Sequence, residues 1–214
     1  MNCGLKEGRS GTQLELEIGT GGGMETDMHQ QVLATIRELK ESTDLEDILT
    51  RIRHTSGIPD NDHDILLREC LEDKEKFAQY WKRREQFHQS FSWAIPSMHA
   101  LEHIAAFARG SAVIEIGSGK GLWAALLKKL GLDVIATDLH LQKAAFCKVE
   151  KKDFRTALAQ YRRRKTLLMV WPPQQGQQGS EMAYETLLRF RGSRLIYVGE
   201  LCQHSVLLGS PVRT

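Results

Sequence analysis

Residues 112–121, Ala-Val-Ile-Glu-Ile-Gly-Ser-Gly-Lys-Gly, set one carboxylate and three alternate glycines at the end of an apolar run. Glycine takes positive φ readily and has no Cβ to hold a ligand away from main-chain N–H groups, so this spacing can cradle a nucleotide-like molecule. Register excludes one common cradle and fits another poorly. A phosphate-binding loop, Gly-x4-Gly-Lys-Ser/Thr, would put Ile114 at its first glycine and Gly121 at its metal-binding hydroxyl. A dinucleotide fingerprint, Gly-x-Gly-x-x-Gly, needs its third glycine where the chain has Leu122. About 20 residues past the loop, Asp138 closes a second apolar run, where a carboxylate can accept both ribose hydroxyls of an adenosine-type ligand.

Other chemistry-bearing clusters are weaker. His99-Ala100-Leu101-Glu102-His103 matches a His-x-x-Glu-His metallopeptidase pattern. However, Met98, Leu101, Ile104, Ala105 and Ala108 form the apolar stripe of that helix, which leaves both histidines outside, and no third ligand is in evidence. Arg162-Arg163-Arg164-Lys165 precedes a strand, at the edge of the sheet away from a ligand crevice, and reads as a solvated helix C-terminus. Phe77, Tyr80, Trp81, Phe87, Phe91 and Trp93 among Lys82, Arg83 and Arg84 could stack bases between basic contacts, but core packing with a solvated face is the commoner reading. A lid over the ligand is a further role, because this segment runs directly into the first strand.

The elements that position the loop follow from pattern. The apolar run ending at Ile116 is a buried strand, and Leu122-Trp123-Ala124-Ala125-Leu126-Leu127 begins a helix. Strands are expected over 132–138, 147–150, 165–171 and 195–199, with helices after Asp153 and over 181–190. Strands alternating with helices, several apolar throughout, predict an α/β fold with a parallel sheet covered on both faces. Ahead of it, Val32, Leu33, Ile36 and Leu39 share one helical face from Met28 onward. Thr43-x-x-Glu46 resembles a capping box opening a second helix with Leu45, Ile48, Leu49 and Ile52 inward. A third helix is expected from Asp62 to Asp64 onward. The expected organisation is a disordered polar tail over 1–25, a helical section over 26–110, an α/β domain over 111–200 and a short tail over 201–214.

The spacing Glu-x-Gly-x-Gly-x-Gly over Glu115, Gly117, Gly119 and Gly121 resembles the first motif of class I S-adenosylmethionine-dependent methyltransferases. The resemblance covers residues 91–200. It extends to a group of methyltransferases through Phe91-Ser92-Trp93-Ala94-Ile95-Pro96, Trp171-Pro172-Pro173 and Ile196-Tyr197-Val198-Gly199-Glu200. It implies a Rossmann-like methyltransferase sheet and S-adenosyl-L-methionine as cofactor. Gly117, Ser118, Gly119 and Gly121 would wrap the cofactor's amino-acid end and sugar, with Glu115 on the ammonium side. Asp138 would bind the ribose, Leu139 would lie beside the adenine, and Asp153 would accept from the adenine amino group. As read from its own residues, Asp153 is equally a helix cap.

Trp171-Pro172-Pro173-Gln174 stands where amino-group methyltransferases of the superfamily carry Asn/Asp/Ser-Pro-Pro-aromatic. Tryptophan in the polar position and glutamine in the aromatic one put base amino methylation in doubt. Trp171, Pro172 and Pro173 are then expected to wall an acceptor pocket, with the Trp171 ring facing the sulfonium cation. The plainer alternative is that Pro-Pro stops the strand and stiffens a turn.

A net charge of +2 is too small to argue for a nucleic-acid partner, and none is expected. Four cysteines without a Cys-x-x-Cys pair indicate neither a zinc site nor a disulfide framework, and a reduced cytoplasmic setting fits them. No signal-peptide core or membrane-length apolar run is present. Only fourteen residues follow Glu200, too few for the C-terminal antiparallel pair of the full family sheet. The fifth strand is therefore expected at an exposed edge, available for self-association. The sequence thus predicts a methyltransferase of unassigned acceptor. A catalytically inactive cofactor-binding or interaction protein is the first alternative, and an NAD-dependent oxidoreductase the second.

Overall fold

Five parallel strands, β1 (Val113–Ile116), β2 (Val134–Asp138), β3 (Val149–Lys151), β4 (Thr166–Val170) and β5 (Arg194–Val198), form one sheet in the order β3-β2-β1-β4-β5. The computed structural model describes residues 21–56, 73–173 and 179–199. Helices α1 (Gly21–Glu41), α2 (Leu45–Ser56), α3 (Lys74–Ser90) and α4 (Met98–Ala108) precede the sheet. Helices α5 (Leu122–Lys129), α6 (Phe154–Gln160) and α7 (Glu181–Arg189) connect its strands.

All four residues of β1 are buried because helices cover both of its faces. Val113, Val134, Ala136 and Leu168 pack toward Leu122, Leu126 and Leu127 of α5 and toward the N-terminal helices. Ile114, Ile116, Leu167 and Met169 pack against Ala157 and Leu158 of α6, with Met182 and Phe190 closing that layer. The chain leaves β1 toward β2 on one side and returns as β4 on the other. The crevice above the carboxyl ends of β1 and β4 is therefore the topological switch point, where open α/β sheets bind ligands.

Several expected boundaries move. Helix α1 begins at Gly21, inside the stretch expected to be tail: anchored by buried Met28 and Val32, the helix extends back through glycines despite their ~1 kcal/mol propensity cost. Asp44 rather than Thr43 caps α2, its Oδ1 accepting from Asp47 N–H at 3.0 Å. Asp73 caps α3 by accepting from the Glu75 and Lys76 N–H groups. The helix expected from Asp62 to Asp64, residues 1–20, the 174–178 loop and everything from Glu200 onward lie outside the described residues. Strand β5 stands at the sheet edge among the described residues, with Leu195 and Tyr197 exposed. No described helix is long and apolar enough to cross a membrane.

Arg162, Arg163 and Lys165 are exposed as the solvated reading expects, and Arg164 alone departs from it. Arg164 is largely covered, and its guanidinium donates to Val113 O (2.7 Å), Asp133 O (2.8 Å) and the Asp133 carboxylate (2.8 Å). It thereby ties the starts of β1 and β2 to the segment entering β4. Carbonyls at strand starts attract a cation that reaches all of them at once, which nothing in the local sequence signals.

Candidate functional site

The glycine loop is braced from beneath. Gly117 and Ser118 N–H both donate to Thr137 O at 3.0 Å, and Gly121 N–H donates to Ser118 O at 2.8 Å. Gly119 N–H donates to Asp138 Oδ2 at 2.8 Å, while Asp138 Oδ1 accepts from His140 N–H at 2.8 Å. Four of the five loop amides, those of Gly117, Ser118, Gly119 and Gly121, are thus engaged within the protein rather than aimed at a ligand. Two glycines are required for different reasons. A Cβ at Gly121 (φ 73°) would lie 2.9 Å from Cys147 Sγ and 3.0 Å from Val149 Cγ2, so this glycine lets the helix pack on the sheet. A Cβ at Gly119 (φ 55°) would meet nothing within 4 Å, so only the backbone turn demands glycine there.

A cleft of ≈ 410 Å³ opens over the switch point. It is lined by Glu115 and residues 117–120 at the glycine loop, by Val170 and Trp171 at the end of β4, and by the end of α3 with residues 91–93. Glu115 is 1% exposed, and burial pushes its carboxyl up to about 8, helped by the charge of Asp138 and opposed by a hydrogen bond from the Ala124 backbone. Glu115 Oε2 and Ser118 Oγ are buried with no hydrogen-bond partner among the described residues. A carboxyl in that state is receptive to a donor, and a cationic donor would hold it ionised. Lys120 also lines the cleft, its ammonium pKa lowered by partial burial.

The lining from the end of α3 and the segment after it is held in place at several points. Trp123 Nε1–H donates to Ala94 O at 2.8 Å, and Phe91 is buried against Phe146. Arg84 Nε–H donates to His88 Nε2 at 3.2 Å, which leaves the imidazole proton on Nδ1, 3.0 Å from Ser92 O. Burial, the leading cause, lowers the His88 pKa, and its neutral ring stacks on Trp93 at 5.1 Å and 15°. Half-exposed Trp93 forms the lip of the cleft. Trp171 has φ 47°, a left-handed conformation costing a non-glycine residue about 1–2 kcal/mol. Its N–H donates to Val198 O at 2.6 Å, so pairing to β5 holds the strained turn.

Of the residues singled out from sequence, the cleft brings together Glu115, Gly117, Ser118, Gly119 and Trp171. Gly121, Asp138, Leu139, Asp153, Pro172 and Pro173 do not line it. Asp153 is the N-cap of α6: Oδ1 accepts from Arg155 N–H (2.9 Å) and Thr156 N–H (3.1 Å), and Oδ2 from Thr156 Oγ1 (2.6 Å). Those bonds, the Thr156 hydroxyl first, hold its carboxyl below the usual range. Leu139 is exposed beyond the end of β2. Sequence reasoning missed His88, Gln89, Lys120 and Gln142. Lys120 could have been found inside the glycine motif; the others come from segments that only the fold brings near. His99 and His103 face solvent with ring centroids 4.2 Å apart, and no metal-holding cluster exists among the described residues. No protein family, curated protein or solved structure matches this chain.

Proposed function

We propose that this chain is a Rossmann-like, class I S-adenosylmethionine-dependent methyltransferase with an unassigned methyl acceptor, working in a reducing, cytoplasmic setting. One observation carries the reading: the switch-point cleft presents a buried carboxyl with one free oxygen, Glu115 Oε2, and a buried hydroxyl without a partner, Ser118 Oγ, among loop amides mostly engaged within the protein. That donor set fits an ammonium-bearing ligand better than a pyrophosphate, which also counts against the NAD alternative.

When bound, the cofactor supplies an activated methyl group. Glu115 would take its ammonium, with Ser118 beside it. Asp138 would accept ribose hydroxyls on lone pairs not used by Gly119 and His140, since an ionised carboxylate has about four acceptor positions. Leu139 would cover the adenine, and Asp153 could receive its amino group only in addition to the cap. Trp171 would face the sulfonium, an interaction of about 1 kcal/mol or more once water is excluded. Trp93 and Trp171 would align an acceptor between them, and alignment with exclusion of water is most of what methyl transfer requires. Exposed Leu195 and Tyr197 on the edge strand favour a second reading, a cofactor-binding interaction protein that pairs with another chain, including its own copy.

Calorimetric titration with S-adenosylhomocysteine and separately with NAD tests the proposal. Binding of the first alone, weakened at least tenfold by Glu115→Gln, is expected. Binding of NAD alone would overturn it, and binding of neither would leave the interaction reading.

A further inference from the structure

Along α6, from Arg155 in its first turn to Arg164 beyond its end, the described surface carries a second concavity, of ≈ 490 Å³, closed by the C-terminal end of α7 and residues 190–191. Arg155 and Arg162 line it from one side and Arg189 and Arg191 from the other, over Leu158 and Phe190. None of its lining residues is acidic. The two chain segments that build it are themselves free of acids: residues 154–165 hold four arginines and Lys165, and residues 186–195 hold three arginines. Ser193 and Arg194 N–H both donate to Lys165 O at 3.0 Å, which fixes the two basic loops side by side.

Not every cation here is available. Arg164 is engaged with Asp133, and Arg189 with Glu185 at 2.9 Å. Arg155 lies 4.4 Å over the Phe154 ring, and neither Arg162 nor Arg191 has an ion-pair partner among the described residues. In a chain with a net charge of only +2 this excess is local, and a bound polyanion would relieve the repulsion that folding builds in. Guanidinium forks match phosphate oxygens, and half-buried Tyr161 in the lining adds a ring on which a base can stack.

We infer that this groove binds single-stranded nucleic acid through its phosphates, with Arg155, Arg162 and Arg191 as the contacts. The site is independent of the cofactor cleft. Its test is fluorescence anisotropy of the full chain with a labelled oligouridylate of about 20 nucleotides, beside a labelled oligoglutamate of equal charge. Binding at about 50 mM salt is expected, with a slope of log affinity against log salt near −2, about 0.7 per phosphate contact. The double variant Arg162→Gln/Arg191→Gln should lose at least tenfold in affinity. Both side chains are exposed, so its thermal melt should be unchanged; each single variant should lose a few-fold. Glu115→Gln should leave oligonucleotide affinity intact, separating this site from the cleft. No oligouridylate binding at that salt, equal affinity for oligoglutamate, or full affinity in the double variant would overturn the inference.

Discussion

Replacing Glu115 by Gln should stabilise the protein by an amount that grows with pH. The carboxyl rises from an ordinary 4.5 to about 8 on folding, chiefly through burial. Between those values the folded state binds a proton that the unfolded state has released, so stability is lost as pH rises through the window. The contribution is fully present below 4.5 and gone above 8. At about 1.36 kcal/mol per pH unit, the full span is worth about 5 kcal/mol, and about 3 kcal/mol is lost by pH 7. Glutamine resembles the protonated acid, keeps an acceptor for the Ala124 amide and does not titrate. Urea unfolding of parent and Glu115→Gln from pH 4 to 9 at constant ionic strength reads the difference, because groups not coupled to Glu115 titrate alike in both and cancel. The two stability curves should nearly coincide at pH 4 and separate progressively up to pH 8. A separation that stayed constant across that range would refute the buried-acid argument, whatever its size.

The same carboxyl couples ligand binding to pH: S-adenosylhomocysteine should release a proton on binding below pH 8, seen as a calorimetric heat that depends on buffer ionisation enthalpy, and affinity should fall as pH drops. Gly121→Ala should cost more than Gly119→Ala, since both pay left-handed strain of about 1–2 kcal/mol but only the first pushes a methyl into Cys147 and Val149; equal urea midpoints would argue against that packing. Arg164→Ala should destabilise by about 2–3 kcal/mol because it frees strand-start carbonyls as well as Asp133. Asp133→Asn, whose carboxylate is mostly exposed, should cost less than ~1 kcal/mol in the same melts. Asp153→Ala should lose about 1 kcal/mol through the cap; a larger fall in cofactor affinity than in stability would show that the carboxylate also meets ligand.

Much of this was legible in the chain because it is governed by short-range rules. Apolar runs of strand length, the glycines at 117, 119 and 121, and the helical periodicity of 45–52 each act within a few residues, and all five strands lie within about two residues of where they are expected. The acid in β1 and the positive-φ loop after it are likewise local. Which groups remain free for a ligand was decided elsewhere. Whether a loop amide faces a ligand or Thr137 depends on how β2 lies beside β1, and that register is set by packing of the whole sheet. Burial of Glu115, the largest influence on its charge, depends on how β2, β4 and helix α5 close around β1. His88 reaches the cleft only because α3 packs over the switch point, and the arginines of α6 and α7 face one groove only because parallel strands return their helices to the same face. Local sequence selects the elements; which polar groups are buried, partnered or left open depends on contacts between segments that no local pattern encodes.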